Sequence, residues 1–362
     1  TTPSFFLATA WIPRLAPSGR TFKSGSTGAG RTIIVNSAST PRLGGMVPPL
    51  AVFGVVSDNQ FIKSDGRLAS NMRSELRHIP NFRNAISVFS IYVQAIAIVW
   101  TAIWLHHPVT YIIAFVLMGR SHAQCLALMH ESVHRLLFRN RSINDFVGRW
   151  LLGYPSFTNT DGYRHVHMAH HREEFGPNEP DIPLYANYPI TKASFLRKMK
   201  RDALGTTGYK MLRGQFLGMF SKVDIQRSTQ RRIFLVQFVL LVIATVFVHP
   251  LAYVFFWLLP YLTVWRVMNR LRSIAEHGGL RADNDRRVTT HSVRQHVIAR
   301  LLFVPFNLGW HIAHHADAGI PFRSLPKYHR MLRESGYVTD EYEFRSYTAI
   351  WRALASQSSP NN

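Results

Sequence analysis

From Ile86 to Leu105 the chain reads ISVFSIYVQAIAIVWTAIWL, an apolar run without a formal charge. At about 20 residues it is long enough for a helix to cross the hydrocarbon core of a bilayer. Val109–Met129 is a second such run, carrying Arg120 and His122 near its end. Two shorter runs follow, Ile233–Val248 and Leu251–Val267, bounded by Arg231, Arg232, Arg266 and Arg270. The pattern predicts four membrane-spanning helices in two hairpins, turning at LHHPVT (Leu105–Thr110) and VHPLAY (Val248–Tyr253). Ile298–Trp310 (IARLLFVPFNLGW) is also apolar, but it is short and contains Arg300, Pro305 and Asn307. It is expected to be interfacial or partly buried rather than spanning. The expected fold is therefore all-α and integral to the membrane, with a helical cap on one side.

The ends of the chain differ from its middle. Residues 1–57 contain no Asp or Glu and are rich in Ser, Thr and Gly, which reads as a low-complexity basic leader, disordered or targeting. Within it, Gly25–Thr32 (GSTGAGRT) imitates a phosphate-binding loop, but Arg31 replaces the lysine and a β-branched run follows instead of a helix. No nucleotide site is expected there. One membrane domain is expected over 58–350, with a flexible tail over 351–362.

Charge changes the picture by giving the spans a direction. The chain has 42 Lys+Arg against 20 Asp+Glu, a net charge of +22. Such an excess suits an anionic partner, and the apolar runs favour a membrane face over nucleic acid, for which no module is present. The two tight turns contain no Lys or Arg, whereas Lys192–Arg232 is strongly basic. The positive-inside tendency puts the long segments in the cytosol and the turns outside. There each Lys or Arg near anionic headgroups contributes about 1 kcal/mol.

The candidate chemistry lies in the histidines. HESVH (His130–His134), HMAHH (His167–His171) and HIAHH (His311–His315) all have spacings that place their histidines on one helical face. His165 lies about 200° around the helix from His167 and points away. No complete span separates the first two clusters, and one hairpin separates the second from the third, so all three reach the same surface. Cys125 is the one cysteine, which excludes a disulfide framework, a Cys-x-x-Cys zinc site and a thiolate iron site. Any metal must be held by nitrogen and oxygen. Eight converging imidazoles exceed what one ion accepts, so two ions are implied. Hydrolytic zinc sites keep three protein ligands and a carboxylate base, so a nitrogen-rich pair facing lipid fits iron and O2 better. His106, His107 and His249 fall in the exterior turns. His122 is either a wall of a substrate cavity or a satisfied polar residue of the second span.

From about Ala85 to Arg333 the chain resembles the membrane fatty acid desaturase superfamily of integral di-iron oxygenases, on these three boxes and the hairpin before the third. The resemblance implies one more ligand, His277 in RSIAEHGG (Arg272–Gly279). The full set is then His130, His134, His167, His170, His171, His277, His311, His314 and His315. Some relatives place an Asn before that extra histidine to hold a metal-bound water; here the position is Ser273, and the water ligand is not carried over. His329, in PKYHRML, resembles a downstream segment of the superfamily without a metal role. Asp145, Asp181, Glu276 and Asn307 are candidates for orienting ligand imidazoles.

The activity implied is O2-dependent desaturation of a fatty acyl chain by two iron ions. Electrons must come from a separate ferredoxin or cytochrome b5 type donor, since the chain has no dinucleotide fingerprint and no His-Pro-Gly-Gly motif. The basic cytosolic face suits an acidic carrier. Carotenoid ketolases, carotenoid hydroxylases and sphingolipid hydroxylases of the same superfamily share the boxes, and the walls of the substrate cavity decide between them. A transition-metal transporter is disfavoured, because the histidines lie beyond the span ends and no inverted repeat is evident.

Overall fold

A computed structural model of the chain describes residues 56–177, 179–340 and 342–357. The GSTGAGRT stretch and nearly all of the expected leader lie outside the described residues, as do the last five. Ten helices frame the site: α1 Asn81–Leu105, α2 Pro108–Val133, α3 Thr160–Arg172, α4 Lys192–Ala203, α5 Thr206–Gly218, α6 Asp224–Phe247, α7 Pro250–His277, α8 His311–Ala316, α9 Leu325–Glu334 and α10 Tyr347–Leu354.

Four of them, α1, α2, α6 and α7, are long and apolar enough to cross a membrane, and they fall on the four runs read from the sequence. In α1 and α6 only 17% of the most apolar window is buried, so both present apolar side chains outward, among them Trp100, Trp104, Phe238 and Phe247. By contrast, α2 is enclosed along its second half. Both tight turns use the same device. His107 and His249 each precede a proline that opens the next helix, and each ring accepts from a backbone N–H, Val109 and Leu251 respectively, at 3.2 Å. Proline at the first helical position loses no hydrogen bond, and the ring caps an N–H that the helix leaves free.

Two helices run further than their apolar stretches. α2 continues to Val133 and α7 to His277 rather than stopping near Met129 and Val267. Hydropathy marks only the lipid-facing length, whereas the backbone ladder carries on through polar residues. In α7 the added ten residues extend the helix by about 15 Å. That helix is not uniform: a π turn over Val254–Leu258 precedes Pro260, and it breaks at Thr263 before resuming. A proline that cannot donate to the ladder accounts for the irregularity. Ile298–Trp310 forms only the six-residue helix Val297–Leu302 and is too short to span.

Helices α4 and α5 cross the foot of α7. An ideal Cβ on Gly208 would sit 2.2 Å from the Leu262 carbonyl oxygen, so the two backbones meet where only glycine fits. Two apolar cores gather residues from beyond this crossing. One gathers Ile62, Leu68, Leu137, Ile312, Tyr328 and Leu332, and the other gathers Tyr185, Ile274, Val304, Ile350 and Leu354. Leu354 is fully buried, so the folded chain runs past residue 351, the expected start of the tail. A two-residue parallel pairing of Ser292–Val293 with Glu343–Phe344 ties the segment before α8 to the segment before α10.

Candidate metal centre

The first two boxes sit at the C-terminal ends of helices, and the third makes up a short helix of its own. His130 lies in the last turn of α2 and His134 caps it. α3 starts from Asn159, whose side chain accepts from Gly162 N at 3.0 Å, and it carries His167, His170 and His171 on one face. Arg164 on the same helix reaches back to the Ser132 and Val133 carbonyls (3.0 and 3.1 Å), bracing α3 against the end of α2. α7 ends at His277, and α8 supplies His311, His314 and His315.

The nine expected ligands converge. The ligand atoms of His130, His134, His167, His171 and His314 lie within 4.8 Å of one another, as do those of His170, His277 and His315. Glu276, His277 and His311 form a further group, and Glu174 joins His171 and His315. Nε2 of His167 is 2.9 Å from that of His134 and 3.0 Å from that of His171; His171 and His314 are 2.9 Å apart, and His277 and His311 3.0 Å. Two nitrogens sharing one cation at about 2.1 Å, with a right angle between them, would be separated by about that distance. His165 is exposed and belongs to none of these groups, and neither does His122. The His122 ring is instead engaged by the Trp257 carbonyl (3.0 Å) and lies near the Ser156 hydroxyl. His329 is buried against Glu343 at 3.0 Å.

The outward nitrogens of several ligands are held. His315 Nδ1 donates to Glu174 at 2.5 Å, His170 Nδ1 to Glu179, and His277 Nδ1 to the Thr289 carbonyl at 2.8 Å. Such a bond fixes the tautomer and leaves Nε2 as the lone-pair nitrogen facing inward. His315 Nε2 is buried and finds no hydrogen-bond partner among the described residues. A buried polar atom left in this way is costly unless something absent from the protein satisfies it, and a cation does so. Burial, reinforced by neighbouring imidazoles, holds His167, His171, His311, His314 and His315 well below the usual histidine range. These rings are neutral, as metal ligation requires. His170 runs the other way: burial pushes it down, but the Glu179 hydrogen bond and charge outweigh burial and raise it. The donor set therefore fits two cations that favour imidazole.

Among the residues expected to orient ligand imidazoles, the structure redraws the roles. Glu276 does approach a ligand, 3.5 Å from His311 Nδ1, while also pairing with Arg272. Asp145 instead accepts from Arg164 at 2.6 Å and supports the brace between α2 and α3. Asn307 accepts from Arg300 and donates to the Phe322 carbonyl. Asp181 sits at the start of the short helix Ile182–Tyr185, and its neighbour Glu179 is the residue on His170. Sequence reasoning misses Glu174 and Glu179. Their signal is the acid-rich HHREEFGPNEPD after the second box, but α3 ends at Arg172, and helical periodicity cannot place residues beyond a helix end.

Sequence comparison supplies an independent line. The profile of the fatty acid desaturase family matches residues 102–347, a stretch that contains all nine candidate ligand histidines. A dihydrorhizobitoxine desaturase from Bradyrhizobium elkanii is 24% identical over 244 residues, covering 63% of this chain and 69% of that protein.

Proposed function

The chain belongs to the fatty acid desaturase family, and from that premise we propose an integral membrane di-iron enzyme that uses O2 to introduce a C=C bond into a fatty acyl chain. The observation that carries the reading is the convergence of nine imidazoles, three of them (His170, His277 and His315) with the outer nitrogen held. Bound by them, two iron ions would supply O2 activation and the removal of hydrogen from an unactivated methylene. In balance, –CH2–CH2– with O2, two electrons and two protons gives –CH=CH– and two waters.

The protein's own contribution is positional. Glu174, Glu179 and Thr289 orient the rings, the buried setting excludes water, and the outward apolar faces of α1 and α6 support a site beside lipid. The basic Lys192–Arg232 stretch supports a cytosolic location for the boxes. A separate ferredoxin or cytochrome b5 type donor supplies the electrons.

The Bradyrhizobium relative is named a desaturase, which favours desaturation over hydroxylation or ketolation, but its name mentions no fatty acyl chain. The test is therefore an untargeted mass-spectrometric profile of lipids and polar metabolites. A host supplying iron and a donor would express either this chain or its His170→Ala variant. A new double bond in an acyl chain, absent from the variant, is the expected result. A hydroxyl or keto product would overturn the reaction, and a desaturated non-lipid would overturn the substrate. His165→Ala should keep the activity; losses equal to those of His170→Ala would sink the helical-face assignment.

A further inference from the structure

Beside the histidine constellation lies a recess of about 450 Å³, lined by His171 and His315 together with Lys63, Arg67, Arg73 and Arg286. No lining residue belongs to the four long apolar helices. An acyl chain arriving through the bilayer has those helices; a partner that reaches the metal ligands through the recess arrives from water.

Three of the four cations stand on a segment that precedes the family match, which begins at residue 102. That segment is firmly seated. Ile62 and Leu68 are buried, the Tyr328 hydroxyl donates to the Gly66 carbonyl at 2.6 Å, and Arg73 pairs with Asp317 at 2.6 Å. Lys63 and Arg67 are exposed on it, with Asp65 lying 3.5 Å from Arg67. Deeper in, Arg286 pairs with Glu174 at 2.5 Å and donates to the His171 carbonyl at 3.1 Å. Glu174 in turn holds His315. Arg286, at the inner end of the recess, is thus joined to two candidate ligands, to His171 directly and to His315 through Glu174.

We propose that this recess is the docking site of the separate electron donor, an acidic one-electron carrier protein. The inference rests on the desaturase reading. A protein fits better than a small anion, because the two exposed cations stand on the rim rather than converge on one point. The two cations that reach inward are already engaged by Asp317 and Glu174. The net charge of +22 draws an acidic surface in from a distance, and the rim fixes where it lands. Each carrier gives up one electron and leaves oxidised, so two encounters supply the two electrons of one turnover.

The test uses the full chain, iron-loaded, in nanodiscs of neutral lipid. The probes are the soluble haem domain of a cytochrome b5 and a [2Fe–2S] ferredoxin, and affinity is measured at low salt and at about 0.5 M salt. Wild type is compared with Lys63→Glu/Arg67→Glu and with Arg197→Glu/Lys200→Glu, which makes the same charge change on α4. At least one probe should bind wild type in a salt-sensitive way. The rim variant should weaken that binding at least about tenfold and the α4 variant less than about twofold, with iron content equal in all three. Unchanged affinity in the rim variant, an equal loss in the α4 variant, or no binding of either carrier to wild type overturns the dock. Binding is read without turnover, so the two readings fail separately. Rim-dependent affinity without any acyl product would sink the desaturase reading alone. Product formed with rim-independent affinity would sink the dock alone.

Discussion

Glu179 shows what the site asks of individual residues. Its carboxylate takes the outer proton of His170 and is itself bonded by the Tyr185 hydroxyl, so one acid aims one imidazole. Partners of this kind typically contribute about 10- to 100-fold in metal affinity. Glu179→Gln keeps the shape and removes the charge, and it should cut iron retention against a chelator at least about tenfold. Wild-type retention in the variant would show that His170 needs no such partner. Eight of the nine candidate ligands are legible from spacing, because box spacing is a helical property and each box is helical in the structure, whereas His277 lies outside the boxes and is reached only through the family resemblance. The acids are harder to place. Glu276 lies one residue before His277 inside α7, where helical geometry still applies, but Glu179 sits in an irregular stretch where only the folded chain settles whether it or Asp181 meets the ring.

At the scale of elements, hydropathy is a reliable guide to where spans exist and a poor one to where they end. The first box and His277 are placed by the extra turns of α2 and α7, which are polar and so invisible to an apolar criterion. The meeting of α5 with α7 is equally hidden, because glycine carries no hydrophobic signal. It can be tested by Gly208→Ala. In a free helix that change stabilises by about 1 kcal/mol, since alanine is the better helix former. Here the new methyl would meet Leu262 backbone atoms that cannot move aside alone, and the substitution should cost roughly 1–3 kcal/mol instead. Thermal unfolding in detergent reads the sign directly, and a raised melting temperature would mean the crossing is looser than described.

Stability against acid belongs to the whole molecule, and His291 offers a defined part of it. The ring is buried, donates to the Gly278 carbonyl at 2.7 Å, and is pushed down to about 4 by burial, which outweighs that bond. Its folded pKa lies below the unfolded value of 6.5, so the unfolded chain binds the extra proton first. Stability present above pH 6.5 is therefore lost as pH falls toward 4, by roughly 2 kcal/mol at pH 5. His291→Gln keeps a donor and removes the titration, so its melting temperature should fall less than that of wild type between pH 7 and pH 5. Parallel curves would place the acid sensitivity elsewhere.

The centre is also assembled from four distant parts of the chain: the ends of α2, α3 and α7, and the whole of α8. During synthesis the N-terminal part emerges first, so His130, His134, His167 and His171 exist before α6 and α7 have been made. His314, which shares their group, is translated last. An incomplete chain thus presents four imidazoles of a five-histidine site to whatever divalent cation is at hand, and copper or zinc binds nitrogen more tightly than ferrous iron does. Under the di-iron reading, the choice of metal would then be a question of timing in biogenesis, closed only when α8 folds and completes the set.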